Sequence, residues 1–139
     1  MSEKAIELYS LPENWVWTTI GKITKKIEKT SPWETPDQEF SYLDISGIDN
    51  KRNVVIEAKS YLGKNAPSRA RQVVQEHDVL FSTVRTYLKN VALVPKQYDG
   101  QVASTGFSIL RAVEGVEYKY LFYFVLSRDF LIGLLTKRI

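Results

Sequence analysis

Arg69 and Arg71 stand two residues apart, and Thr83, Arg85, Tyr87 and Lys89 follow at the same two-residue spacing. Side chains at i and i+2 of a strand point to one face. Two forked guanidinium groups on one face can each grip a phosphate or the O6/N7 edge of a guanine. If the strand runs on unbroken, Thr83, Arg85, Tyr87 and Lys89 share a face; if the chain turns between Arg85 and Lys89, they cluster at a loop tip. Both arrangements set cations around an aromatic ring, a composition suited to nucleic acid. Lys64 adds a further cation in the strand-breaking run 64–68. The same residues admit a plainer arrangement, in which Arg69 and Arg71 pair with Glu76 or Asp78 and Tyr87 is half-buried.

Catalysis finds little support. The single histidine, His77, lies in the turn-like Glu76-His77-Asp78, with nothing nearby in sequence to orient it as a base. There is no cysteine, hence no disulfide or thiolate metal site. No cluster of ligands has metal spacing, and no phosphate-cradling glycine loop or nucleophile elbow occurs. Asp44 and Asp49, five apart around a glycine, suit turn chemistry better than a metal pair.

The elements that must position the cations read as mostly β. Residues 15–20 are aromatic and β-branched and predict a short strand. Ile20, Ile23 and Ile27 have helical spacing, so residues 21–28 predict a short amphipathic helix or helical turn. Residues 30–38, with Pro32 and Pro36, form a loop. Strands are expected over 40–45, ending at Ser46-Gly47, and over 54–57, with a turn at 48–50 between them. Residues 69–74 resume a strand pattern, and residues 79–84 carry the strongest strand signal of the chain. Further strands are expected over 91–94 and over 102–111, the latter holding Gly106 as a bulge or close-approach point. From Glu117 the apolar spacing turns helical. Two short helices packed as a hairpin follow, with Ser127 as the N-cap of the second.

At 139 residues, 44% hydrophobic and 25% charged, the chain has the size and composition of one globular domain. Glu3 and Glu7 interrupt the start, which is no signal peptide, and residues 120–126 are too short an apolar run to span a bilayer. The net charge of +3 is modest, but its placement is uneven: residues 64–111 hold seven Lys/Arg against three Asp/Glu. A local positive field of this kind attracts polyanions.

Taken in order, the motifs resemble a known family. Leu11-Pro12-Glu13-Asn14-Trp15-Val16-Trp17 with Ile20-Gly21, Tyr42-Leu43-Asp44-Ile45-Ser46-Gly47-Ile48, and Pro67-Ser68-Arg69-Ala70-Arg71 are similar to the opening and early motifs of Type I restriction–modification specificity subunits. The run from Asp78-Val79-Leu80-Phe81-Ser82-Thr83-Val84-Arg85 to Thr86-Tyr87-Leu88, then Ser104-Thr105-Gly106-Phe107 and residues 121–130, continue the likeness. Two departures fall in turns: Thr86 stands where the family usually has proline, and His77 where it usually has glycine.

The resemblance implies an α+β target-recognition domain of the DNA-methylase-specificity type, a β-rich, double-β-helix-like body with a C-terminal helical hairpin. It implies one domain over 1–139: residues 1–10 loosely ordered, 11–116 the body, 117–139 the hairpin leading to a spacer helix beyond the chain. The implied function is recognition of one half of a bipartite double-stranded DNA target, in the cytoplasm and without catalysis or a cofactor of its own. Methylation with S-adenosylmethionine and ATP-driven cleavage would lie in partner modification and restriction subunits. Charge, spacing and motif position together make Lys64, Arg69, Arg71, Arg85, Tyr87 and Lys89 the expected DNA-facing residues. A recognition domain serving a stand-alone adenine methyltransferase, an RNA-binding β module, and a protein adaptor using an exposed Phe122 or Phe130 are the alternatives.

Overall fold

The structure is a computed structural model that describes residues 20–82, 85 and 88–127. In chain order the elements are α1 (Ile20–Ile23), β1 (Thr24–Lys25), β2 (Glu39–Leu43), β3 (Ile48–Asp49), β4 (Val54–Val55), β5 (Lys59–Leu62), β6 (Ala70–Val73), β7 (Val79–Ser82), β8 (Val91–Leu93), β9 (Val102–Ser104), β10 (Phe107–Ala112) and α2 (Tyr118–Leu126). Single 3-10 turns occupy Pro32–Glu34, Ile45–Gly47, Gly63–Asn65 and Lys96–Tyr98.

Two four-stranded sheets form the body, in the orders β1-β10-β7-β8 and β5-β2-β9-β6, with β3 and β4 as a separate hairpin. Among the described residues, all strand pairings are antiparallel except β2 with β9. The principal core joins both sheets: Leu43 and Ala103 from one meet Leu80, Ala92, Phe107 and Ile109 from the other. A second cluster sets Leu121 and Val125 of α2 against Val79, Phe81 and Val91. All four residues of β7 are buried, with Leu80 turned to the inter-sheet core and Val79 and Phe81 to the helix. Burial on both faces explains why this strand is a continuous apolar run rather than an alternating one. The body is therefore β-rich with a short helix near its C-terminal side, the coarse fold expected.

The local differences have physical causes. The amphipathic pattern of residues 21–28 yields only α1, after which β1 pairs with the end of β10 and draws the chain into the sheet. Residues 48–50 are not a plain turn: Ile48 and Asp49 are the first arm of a hairpin whose turn is residues 50–53. Strand β5, Lys59–Leu62, lies at a sheet edge and is exposed or half-buried throughout, so it carries no apolar signal. The expected strand over 102–111 is two strands in two sheets, divided at Thr105-Gly106. Residues 1–10, residues 15–19 of the strand expected at 15–20 and the second helix of the hairpin lie outside the described residues, and Ile20, expected to end that strand, opens α1 instead. The hydroxyl of Ser127, expected to cap that second helix, donates to the Phe124 carbonyl at 2.6 Å, closing α2. Among the described residues, no helix is long and apolar enough to cross a membrane.

Candidate nucleic-acid interface

Strand registers bring separate stretches of chain to one end of the body. Phe107 pairs with Ser82, Ala70 with Ser104, and Leu43 with Ala103. The 105–106 crossing between sheets, Arg69, the 44–47 segment and the loop leaving β7 therefore gather at this end. Gln72, buried in β6, fastens the crossing by donating Nε2–H bonds to the carbonyls of Ser104 (2.9 Å) and Phe107 (3.1 Å). The Thr105 amide donates to the Arg69 carbonyl (3.0 Å), and the Gly106 amide to the Ser104 hydroxyl (3.0 Å). A Cβ at position 106 would stand 3.3 Å from the Ser104 Oγ and 3.4 Å from the Ile45 Cδ1, so Gly106 is the expected close-approach point. Sequence reasoning missed Gln72, because a lone glutamine in a strand pattern gives no hint that it bridges two sheets.

Of residues 83–89 only Arg85, Leu88 and Lys89 are described, and none of the three stands in a strand; Thr83 and Val84 lie outside the described residues. Strand β7 ends at Ser82, whose amide donates to the Asn90 carbonyl, and β8 returns antiparallel to it. Arg85 and Lys89 have left-handed backbones, at φ 53° for each, and both are exposed. Left-handed φ at non-glycine residues costs about 1 kcal/mol or more and concentrates at functional loops. The Asn53 side chain, itself on a backbone of φ 56°, donates to the Lys89 carbonyl at 2.9 Å and ties the β3–β4 hairpin to this loop. Tyr87 and Thr86 lie outside the described residues.

Arg69 and Arg71 do not share a strand face as expected. Arg69 falls in the turn before β6, and the pairing of β6 with β9 shifts register between Ala70 and Gln72. Arg71 is exposed, and its guanidinium sits 4.6 Å above the ring of Trp33, a cation–π contact. Its Nε reaches the Ser68 carbonyl at 3.5 Å, at the limit of a hydrogen bond. Lys29, Glu34 and Gln38 join Arg71 around an open groove of about 630 Å³. Lys64 is exposed in the 3-10 turn that packs against Pro32–Glu34. The expected cations are thus split between two places: Arg69, Arg85 and Lys89 at the crossing end, Arg71 and Lys64 around Trp33. Neither Arg69 nor Arg71 forms an ion pair with a described residue, so the pairing with Glu76 or Asp78 does not occur.

Asp78 has another partner. At the opposite end of the body Arg111 donates from Nε to Oδ1 (2.9 Å) and from Nη2 to Oδ2 (2.8 Å) of Asp78, and both side chains are buried. Arg111 also donates to the Val73 carbonyl (3.2 Å), while the Gln75 amide donates to Asp78 (2.9 Å). The Asp78 carboxylate holds the Arg111 pKa above its ordinary value despite burial. His77 is exposed in a turn, stacked on Tyr118 with ring centroids 3.9 Å apart. Its φ of 75° accounts for the glycine usual in the resembling family at this position. Asp44 and Asp49 are turn formers as expected, accepting from Ile45 and from Lys51 and Arg52 respectively. Among the described residues no group of three His, Cys, Asp or Glu side chains is placed to hold a metal.

Fold and site together define a β-rich domain with exposed cations on its loops and on strand β6. Comparison with solved structures places it further. The HsdS subunit from Thermoanaerobacter tengcongensis is 41% identical, with a TM-score of 0.88 over 95% of this chain and 34% of that one. A chain from a structure concerning complex assembly and conformational transition of the Type I R-M system is 44% identical, with a TM-score of 0.86 over 92% of this chain and 33% of its own. No protein-family model matches the chain, and no curated protein sequence does. The chain is a relative of the HsdS specificity subunits of Type I restriction–modification systems and spans about a third of the length of those it matches.

Proposed function

We propose that this chain is a target-recognition domain that reads one half of a bipartite double-stranded DNA target for a Type I restriction–modification complex. The observation that carries the reading is the fold and sequence likeness to HsdS over nearly the whole chain. The exposed cations at the crossing end and around Trp33 support it, since phosphate contacts fix register while a few polar side chains read bases. Lys64, Arg69, Arg71, Arg85, Tyr87 and Lys89 are the proposed contacts to DNA. The chain acts as one domain, residues 1–139, with a double-β-helix-like body and a C-terminal helical hairpin running toward a spacer helix. It works in the cytoplasm, needs no cofactor and catalyses nothing. Modification subunits, with S-adenosylmethionine, and restriction subunits, with ATP, are its partners in that reading.

Binding of the chain to duplex DNA and to RNA across a salt series tests the proposal. Binding to duplex DNA should fall linearly with salt on logarithmic axes, with a slope of about −0.9 for each phosphate contacted. Equal or tighter binding to RNA, or no DNA binding at low salt, would refute it.

A further inference from the structure

The β3–β4 hairpin carries two cations outside the six residues already proposed, Lys51 and Arg52, and the Asn53–Lys89 hydrogen bond fastens it to the β7–β8 loop. Arg52 is held in an unusual way for so exposed a side chain. Its Nε donates to Asp49 Oδ2 at 2.9 Å, while Asp49 Oδ1 accepts the backbone amides of Lys51 (2.9 Å) and Arg52 (3.1 Å). The Arg52 side chain is nonetheless 71% exposed, and among the described residues no group pairs with its Nη1 or Nη2. One edge of the guanidinium is therefore clamped and the other faces water. Hydrogen bonds from Arg52 and from the turn amides lower the Asp49 pKa to about 2, so the clamp is ionised at neutral pH.

An exposed arginine with no ligand gains little from a surface ion pair and loses side-chain entropy by making it. The arrangement makes sense where a fixed fork is needed. A pre-oriented guanidinium loses less freedom on pairing with a planar acceptor pair, and the O6 and N7 atoms of guanine in the major groove are such a pair. The neighbouring surface fits a groove as well. Val54, Ile56 and Leu88 are exposed on the hairpin, the segment after it and the adjoining loop, and apolar side chains contact thymine methyl groups there. A two-stranded β-ribbon is narrow enough to enter the major groove.

We propose that Arg52, oriented by Asp49 at the tip of the β3–β4 hairpin, reads a guanine of the DNA half-site through its Nη edge. The inference rests on the DNA-recognition reading and deepens it, assigning base readout to a hairpin outside the basic middle segment. Asp49 is a positioning residue; Arg52 touches the base.

The test is selection of the chain on a pool of random-sequence duplex DNA, followed by sequencing of the bound fraction, for wild type, R52A, R52K and D49N. Wild type should enrich a short motif with a required guanine. R52A should lose roughly tenfold or more of the preference at that one position and keep the rest of the motif. R52K keeps the charge but not the planar fork and should lose the same preference. D49N should weaken it by a smaller factor. A motif unchanged in R52A and R52K overturns the inference while leaving DNA recognition intact, and a uniform loss of affinity across all sequences does so too, marking a phosphate contact. A preference unchanged in D49N overturns the positioning role of Asp49. A wild-type chain that enriches no motif overturns the DNA-recognition reading itself, and the inference with it.

Discussion

Where β10 finishes, Arg111 is buried and gripped at two points by Asp78; where β9 passes over to β10, Arg69, Arg85 and Lys89 are exposed and form no ion pair with a described residue. Both groups fall in the basic stretch 64–111, and a count of charges treats them alike. Alternation along β10 puts Arg111 on the same face as Phe107 and Ile109, toward the core between the sheets. A charge there has to be matched, because the desolvation cost of an unpaired buried ion runs to several kcal/mol. Asp78 matches it, and with the Val73 carbonyl the pair clasps β10 to the end of β6 and the start of β7. At the crossing end the cations stand on turns and loops, where they stay solvated and open to an anion. The pair removes one charge of each sign, so the surplus of four in residues 64–111 survives it and sits at the surface.

The contrast is broken most directly at the clasped end. Arg111→Ala should cost about 3–5 kcal/mol in urea unfolding, by leaving Asp78 buried and unpaired. Replacing both partners by apolar residues of similar size should recover most of that loss; a single variant within 1 kcal/mol of wild type, on the scale of an exposed pair, denies the clasp. Gln72→Leu comes next. It removes the donor to two buried carbonyls, and a loss of about 1–3 kcal/mol is expected in the same assay. It should also weaken DNA binding, since Gln72 holds the crossing in place.

Arg71→Ala and Arg85→Ala sharpen the contrast from the open side. Unfolding free energies should stay within about 0.5 kcal/mol of wild type. The dependence of DNA affinity on salt should become shallower, its slope falling by about one for each phosphate that the variant no longer reaches. In a complete specificity subunit both variants should reduce target methylation, and unchanged methylation in both removes them from the DNA face. A smaller effect concerns His77. His77→Gly and His77→Ala both lose the stack on Tyr118, but only glycine relieves the left-handed backbone, so the glycine variant should be more stable by about 1 kcal/mol. The last check is on Asp49. Its folded pKa of about 2 lies below the ordinary 3.8, so its contribution to stability is complete above about pH 4 and disappears as pH falls through about 2. A carboxyl titration followed by NMR checks the value, and a midpoint near 3.8 denies the clamp on Arg52.

Local signals carried much of this fold. The continuous apolar run of β7, the Phe40–Leu43 part of β2 and the helical spacing of α2 were legible because each buries its side chains in a pattern written over a few residues. The hidden parts depend on partners far along the chain. Strand β5 exists through its pairing with β2, and its sequence Lys59-Ser60-Tyr61-Leu62 gives neither face a wholly apolar pattern. Val102–Ser104 is buried throughout and Phe107–Ala112 alternates, and the residue types of 102–111 give no sign that the two belong to different sheets. The candidate surface divides the same way. Its cations and its close-approach glycine could be read from spacing, while the separation of Arg71 from Arg69 could not, because Arg69 falls in the turn before β6 and only Arg71 stands in the strand.

By itself the sequence determined the β-rich class, the family likeness and the supply of cations, since these follow from residue type and short-range order. Tertiary structure decided which arginine is a clasp and which is free. It also decided which loops share an end and that the β3–β4 hairpin joins them. Those outcomes hang on contacts such as Asp78 with Arg111 and Asn53 with Lys89, 33 and 36 residues apart. A residue's neighbours at that range are set by how strands pair, and strand pairing is a property of the whole core.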